Sequence, residues 1–121
     1  MIKKLYRFHG LGSLNFVYRR GQTTRCPYFG VRYIVNNRNN SYRIAVVVSK
    51  KVAKVAPKRN RIRRRVYEAV RPMASKYLMK EDVVITIFDD RFLTAPFDEI
   101  EKSLEIQLKK IANNRKYINN Q

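Results

Sequence analysis

One stretch constrains this chain more than any other. From Pro57 to Arg71 (PKRNRIRRRVYEAVR) apolar side chains recur at helical spacing, with Ile62, Val66, Ala69 and Val70 on one stripe and Met73 beyond. Between them stand Lys58, Arg59, Arg61, Arg63, Arg64 and Arg65. Pro57 suits a first helical turn and Pro72 marks an end. Such a helix must bury its stripe in a core. Its other face carries like charges at i,i+4, which destabilise an isolated helix. It is costly unless phosphates lie along it, and arginine grips phosphate with a planar fork. Asn60 adds an amide able to serve a phosphate, a 2′-hydroxyl or a backbone turn. Arg59, Arg63 and Tyr67 fall on one flank, four residues apart.

The remaining apolar runs supply the core. Residues 27–35 (PYFGVRYIV) alternate, with Phe29, Val31, Tyr33 and Val35 on one face. Residues 42–49 (YRIAVVVS) are β-branched, as a central strand would be, and residues 83–88 (VVITIF) form a third strand stopped by Asp89 and Asp90. The polar run NNRNNS between the first two predicts a hairpin. A short helix over residues 13–20 starts at Ser13 as N-cap, carries Leu14, Val17 and Tyr18 at helical spacing, and stops at Gly21. Residues 73–80 extend the basic helix by a turn or two.

The last helix starts near Pro96, with Asp98, Glu99 and Glu101 where the dipole favours anions and Lys109 and Lys110 near its other end. Its core face is Phe97, Ile100, Leu104, Leu108 and Ile111. Residues 1–12 and the polar tail from Asn113 are expected to be loose. The resulting order, α-β-β-α-β-α, predicts one α+β domain over residues 1–121, with helices packed on a mostly antiparallel sheet.

Composition narrows the function. Lys and Arg number 27 against 9 Asp and Glu in 121 residues, a formal net charge of +18. Residues 1–80 hold 21 of the cations and a single acid, Glu68, whereas residues 81–121 carry a net charge of −2. That asymmetry points to a polyanion, nucleic acid first, because neutralised phosphates release counterions. At 45% hydrophobic residues the chain is too apolar for a disordered polycation. A membrane surface fits worse, since no basic stretch carries a wide exposed apolar face.

No apolar run is long enough to span a bilayer, and the N-terminus lacks a signal-peptide core, so the cytoplasm is the expected compartment. Cys26 is the lone cysteine and His9 the lone histidine, which excludes an internal disulfide and a multi-histidine metal centre.

The segment Arg59-Asn60-Arg61-Ile62-Arg63-Arg64, preceded by Ser49-Lys50-Lys51-Val52, resembles the signature of the bacterial ribonuclease P protein subunit. The family pattern is SKK-V, a short linker, RNR, one apolar residue and two basic residues. Leu14, Val17, Tyr18 and Gly21 are similar to the family's first helix and its closing glycine. Asp82–Ile85 and the final helix also fall in the family's order. The resemblance covers about residues 5–112.

It implies an α-β-β-β-α-β-α sandwich, similar to the second domain of a ribosomal small-subunit protein, with a left-handed βαβ crossover that general handedness rules would not choose. The fourth strand it implies is not evident from the residues. The implied function is assistance to a catalytic RNA that removes the 5′ leader of precursor tRNA. Magnesium reaches the reaction through that RNA, and the protein supplies no catalytic residue, no metal site and no cofactor of its own.

Carried over by residue, RNA docking falls to Lys50, Lys51, Lys58, Arg59, Asn60, Arg61, Arg63 and Arg64. A cleft for the leader falls to Leu14, Tyr18, Arg32, Arg63 and Tyr67. Leu14 stands where the family often has Phe, Tyr67 where a basic residue is usual, and Pro57-Lys58 replaces an apolar entry to the helix.

Taken singly, several of these residues have plainer readings. Tyr18 is a cleft residue or ordinary core. Phe16, Phe29 and Phe88 read as core, and Asp89-Asp90 as a turn. Tyr28, Tyr33 and Tyr42 fit base stacking and β propensity equally. A structural RNA-binding protein, such as a ribosomal protein, would share the charge without needing the SKK–RNR pairing or an aromatic cleft. A protein nuclease is disfavoured, because the only histidine, His9, lies in the N-terminal tail and no acidic cluster lies near the basic helix.

Overall fold

The computed structural model describes residues 17–26, 28–35 and 41–119, with side chains to residue 114. Leu14, Ser13, Phe16 and His9 lie outside these residues, as do residues 36–40. Residues 17–20 are helical and lead into β1 (Gln22–Arg25), β2 (Phe29–Val35), β3 (Arg43–Val48), α1 (Ala56–Tyr77), β4 (Glu81–Ile87), a 3-10 turn (Asp90–Leu93) and α2 (Phe97–Asn119).

The four strands form one sheet in the order β1-β2-β4-β3. β1 pairs antiparallel with β2, β2 antiparallel with β4, and β3 parallel with β4, in a register that sets Val31 opposite Ile85 and Val46 beside Ile85. The fourth strand is therefore β1, four polar residues (QTTR) with no apolar alternation to announce it. The expected hairpin between residues 27–35 and 42–49 is corrected: β4 lies between β2 and β3. The hairpin that exists joins β1 to β2, where the Cys26 N–H donates to Phe29 O at 3.1 Å. Because β3 and β4 run parallel, a crossover must join them, and α1 is that crossover.

Strand alternation sorts the sheet into two faces. Phe29, Val31, Tyr33, Ile44, Val46, Val48, Val83, Ile85 and Ile87 bury into the main core beneath both long helices. Ala45 and Val84 point the other way and pack with Val17 of the helical turn. Gly21 closes that turn with its N–H on Val17 O at 2.7 Å. A Cβ there would lie 2.5 Å from Val17 O and 2.9 Å from Tyr33 O, so only glycine lets the turn descend onto the strand.

α1 buries Ile62, Val66, Ala69, Val70 and Met73, the expected stripe, and continues through Pro72 to bury Ala74 and Tyr77. Pro72 does not end the helix. It sits on the exposed side, where one missing N–H costs less than the burial of the residues beyond it contributes. Fully burying a side chain such as Ile62 or Val66 contributes about 1.5–3 kcal/mol.

On α2 the core face is Ile100, Leu104, Leu108 and Ile111, all buried. Phe97, expected on that face, is 41% exposed because it is the first helical residue and lies ahead of the packed stripe. The helical backbone runs on to Asn119, past the expected fraying point at Asn113. Near that end Asn114 Nδ2 donates to Tyr33 Oη at 2.6 Å and to Gln22 Oε1, which ties α2 to the β1–β2 hairpin. At the other edge Arg43 grips Asp82 with two 2.9 Å hydrogen bonds, one from Nε and one from Nη2. Those bonds, with the carboxylate charge, raise the Arg43 pKa against the opposing cost of burial.

Candidate RNA interface

The cations of α1 divide by what they touch. The SKK segment leaves β3 in a tight turn in which Val52 N–H donates to Ser49 O at 3.1 Å, and Lys50 and Lys51 stay exposed. α1 then begins with Pro57 in its first turn, no acidic residue there and no side-chain cap at Val55. Lys58 and Arg59 N–H both turn back to Val55 O, at 3.2 and 3.3 Å, and with no carboxylate in the first turn the positive end of the helix dipole adds to the charge of Lys58, Arg59 and Arg61.

Arg59 Nη1 donates to Ala53 O and Lys54 O, both at 2.9 Å, and so braces the loop that carries the two lysines. Arg65 Nη1 donates to Phe92 O at 2.7 Å, and its Nη2 donates to Ala95 O; together they bind α1 to the 3-10 turn before α2. Arg61, Arg63 and Arg64 make no hydrogen bond or ion pair among the described residues. Arg61 and Arg64 are exposed, and with Pro57 and Arg65 they line a basic depression of about 310 Å³. Lys58 and Asn60 are exposed on the same segment.

The second feature lies on the opposite face of the sheet. A hollow of about 540 Å³ is lined by Tyr18, Thr23, Arg25, Gly30, Arg32, Thr86 and Phe88. Tyr18 comes from the helical turn, Thr23 and Arg25 from β1, Gly30 and Arg32 from β2, and Thr86 and Phe88 from β4 and its end. Alternation explains the set: these are the outward positions of strands whose other face is the core. Arg32 Nη2 donates to Tyr18 O, and to Gly21 O at 3.4 Å, and its guanidinium carbon stands 5.9 Å from the Tyr18 ring centroid. Arg32 is thus a strut that holds the helical turn on the sheet, as well as a cation in the hollow's wall.

Of the residues expected around a cleft, Tyr18 and Arg32 meet in this hollow. Arg63 does not line it, because α1 packs on the other face of the sheet. The expectation for Tyr67 is corrected. Its ring is 8% exposed within the main core, and its hydroxyl accepts the Val46 N–H at 3.2 Å. Position 67 adjoins the buried stripe, and an aromatic side chain gains more from the core than from solvent. Tyr33 and Tyr42 are also core, and Tyr28 lies under Arg91 at 3.8 Å from guanidinium carbon to ring centroid. Asp89 caps the 3-10 turn, accepting the Arg91 N–H at 2.8 Å.

Sequence reasoning missed Arg25, Thr23, Thr86 and Phe88. The signal was the phase of β4: Val83, Ile85 and Ile87 share one face, which leaves Thr86 and Phe88 on the other.

Known proteins resemble this chain throughout. The family model described as Ribonuclease P matches residues 2–112. The "Ribonuclease P protein component" of Chloroflexus aurantiacus is 30% identical over 108 residues, spanning 89% of this chain and 78% of that protein. The protein of the same name from a Pseudanabaena strain is 32% identical over 71 residues, 59% of this chain and 61% of its own. Among solved structures, the RNase P protein of Thermotoga maritima superposes with a TM-score of 0.78 at 23% identity, covering 87% of this chain and 96% of its own. The RNase P protein of Staphylococcus aureus does so with a TM-score of 0.73 at 24% identity, covering 88% and 94%. At those identities the superpositions establish the shared fold.

Proposed function

The chain belongs to the Ribonuclease P protein family, and from that premise we propose that it serves as the protein subunit of a bacterial-type ribonuclease P. It docks on the catalytic RNA through the outer side of α1 and the SKK turn. It holds the 5′ leader of precursor tRNA in the hollow on the opposite face of the sheet. Hydrolysis of the single phosphodiester belongs to the RNA and its bound magnesium, which needs no acid–base pair from the protein. The work takes place in the cytoplasm; among the described residues no helix is long and apolar enough to cross a membrane.

One observation carries the reading. Arg61, Arg63 and Arg64 have no partner among the described residues, and they project from a helix held rigid by its own buried stripe. Three neighbouring guanidinium groups without counter-charges are unfavourable in the isolated protein, and phosphates along the helix relieve that cost. The hollow adds what a single strand requires, an aromatic ring with cations beside it.

Reconstitution tests the proposal. The purified protein, mixed with a bacterial ribonuclease P RNA and precursor tRNA at low magnesium, is expected to stimulate 5′ cleavage. Absence of stimulation contradicts the reading, and cleavage by the protein alone would make the chain a nuclease in its own right.

A further inference from the structure

The end of the hollow farthest from the helical turn holds an aromatic side chain that the core does not use. Phe88 is 47% exposed, although it directly follows a strand whose apolar residues are buried. Its backbone is fixed, since its N–H donates to Tyr28 O at 2.9 Å. Its ring lies over Gly30, where a Cβ would come within 3.2 Å of Cε2 and Cζ, so the glycine is what lets the ring lie down against the strand. The Arg25 guanidinium carbon stands 5.5 Å from the ring centroid, within cation–π range but loose enough to leave much of the ring open. Asp89 and Asp90 follow at once, both exposed, and their charge repels a phosphate beyond Phe88.

We propose that Phe88, seated on Gly30 and flanked by Arg25, is a stacking platform for one nucleobase of the single-stranded leader, and that it marks the end of the bound track. Arg25 takes the phosphate of that nucleotide. Stacking accepts any of the four bases because each presents a π-face, so the subsite selects for the presence of a base and not for its identity. Among the described residues the cleft thereby has two aromatic stations, Tyr18 and Phe88, at either side of one hollow. The inference rests on the leader-holding reading and deepens it by naming the second station.

The test is a coupling measurement on the reconstituted holoenzyme. Affinities are measured for precursor tRNA with an intact leader, with single abasic nucleotides along the leader, and with no leader. The wild-type protein is expected to lose about 10-fold at one abasic position in addition to any loss at Tyr18. In Phe88→Ala that particular penalty disappears, while affinity for leaderless tRNA is unchanged; Phe88→Trp retains the penalty. Phe88→Trp also introduces the only tryptophan of the chain, whose emission should be quenched by the intact leader and not by the abasic one. An abasic penalty that persists at every position in Phe88→Ala overturns the subsite and leaves the leader-holding reading standing. Equal affinity of the wild-type holoenzyme for precursor with and without a leader overturns both.

Discussion

Two sets of arginines share α1, and their environments differ more than their spacing. Arg59 and Arg65 spend their donors on backbone carbonyls, one on the SKK loop and one on the 3-10 turn. Arg61, Arg63 and Arg64 spend none among the described residues. A basic run in a sequence is therefore not one binding surface. Part of it assembles the scaffold that holds the rest in place, and only contacts tell the two apart.

The largest effect that could break this division is on docking. Arg61→Ala with Arg64→Ala should weaken binding to ribonuclease P RNA by about 10- to 100-fold near physiological salt, lowering the salt-dependence slope by about two units. Thermal stability should be unchanged, as seen by differential scanning calorimetry.

Arg65→Ala should do the reverse. It strands the Phe92 and Ala95 carbonyls and should cost about 1.5–3 kcal/mol in urea unfolding. Arg59→Ala lies between the two sets. About 1 kcal/mol of stability should go with its loop contacts, and docking should weaken because Lys50 and Lys51 lose their brace. Tyr67→Phe separates core from cleft: it removes the acceptor of the Val46 N–H and should cost about 1 kcal/mol in the same unfolding assay. Leader affinity should be untouched, whereas Tyr18→Ala should weaken leader-bearing precursor much more than mature tRNA.

Much of the fold was legible because its signals are periodic. The Ile62–Val66–Val70 stripe, the β-branched 42–49 run and the Ile100–Leu104–Leu108–Ile111 face all predict burial that occurs. β1 was not legible, since QTTR has no apolar pattern and becomes a strand only through its pairing with β2. The neighbour of β2 differs from the sequence expectation for a related reason: adjacency in sequence favours a hairpin, while the parallel β3–β4 pair takes the central position for β4.

The candidate site was half legible. Charge density located α1 but not the carbonyl ties of Arg59 and Arg65, which depend on loops distant or irregular in sequence. Tyr18 and Arg32 came from a family pattern, and the structure brings them into one hollow. Phe88 reads as core in the sequence because it ends an apolar run, and only the phase of β4 sends it outward.

Neighbouring residues of identical chemistry offer the most direct test. The salt-dependence slope of docking on ribonuclease P RNA is measured for Arg64→Ala and Arg65→Ala, with both variants held well below their melting temperatures. The account predicts a slope lower by about one unit for Arg64→Ala and an unchanged slope for Arg65→Ala. An equal fall in both, or a fall in Arg65→Ala alone, would contradict it.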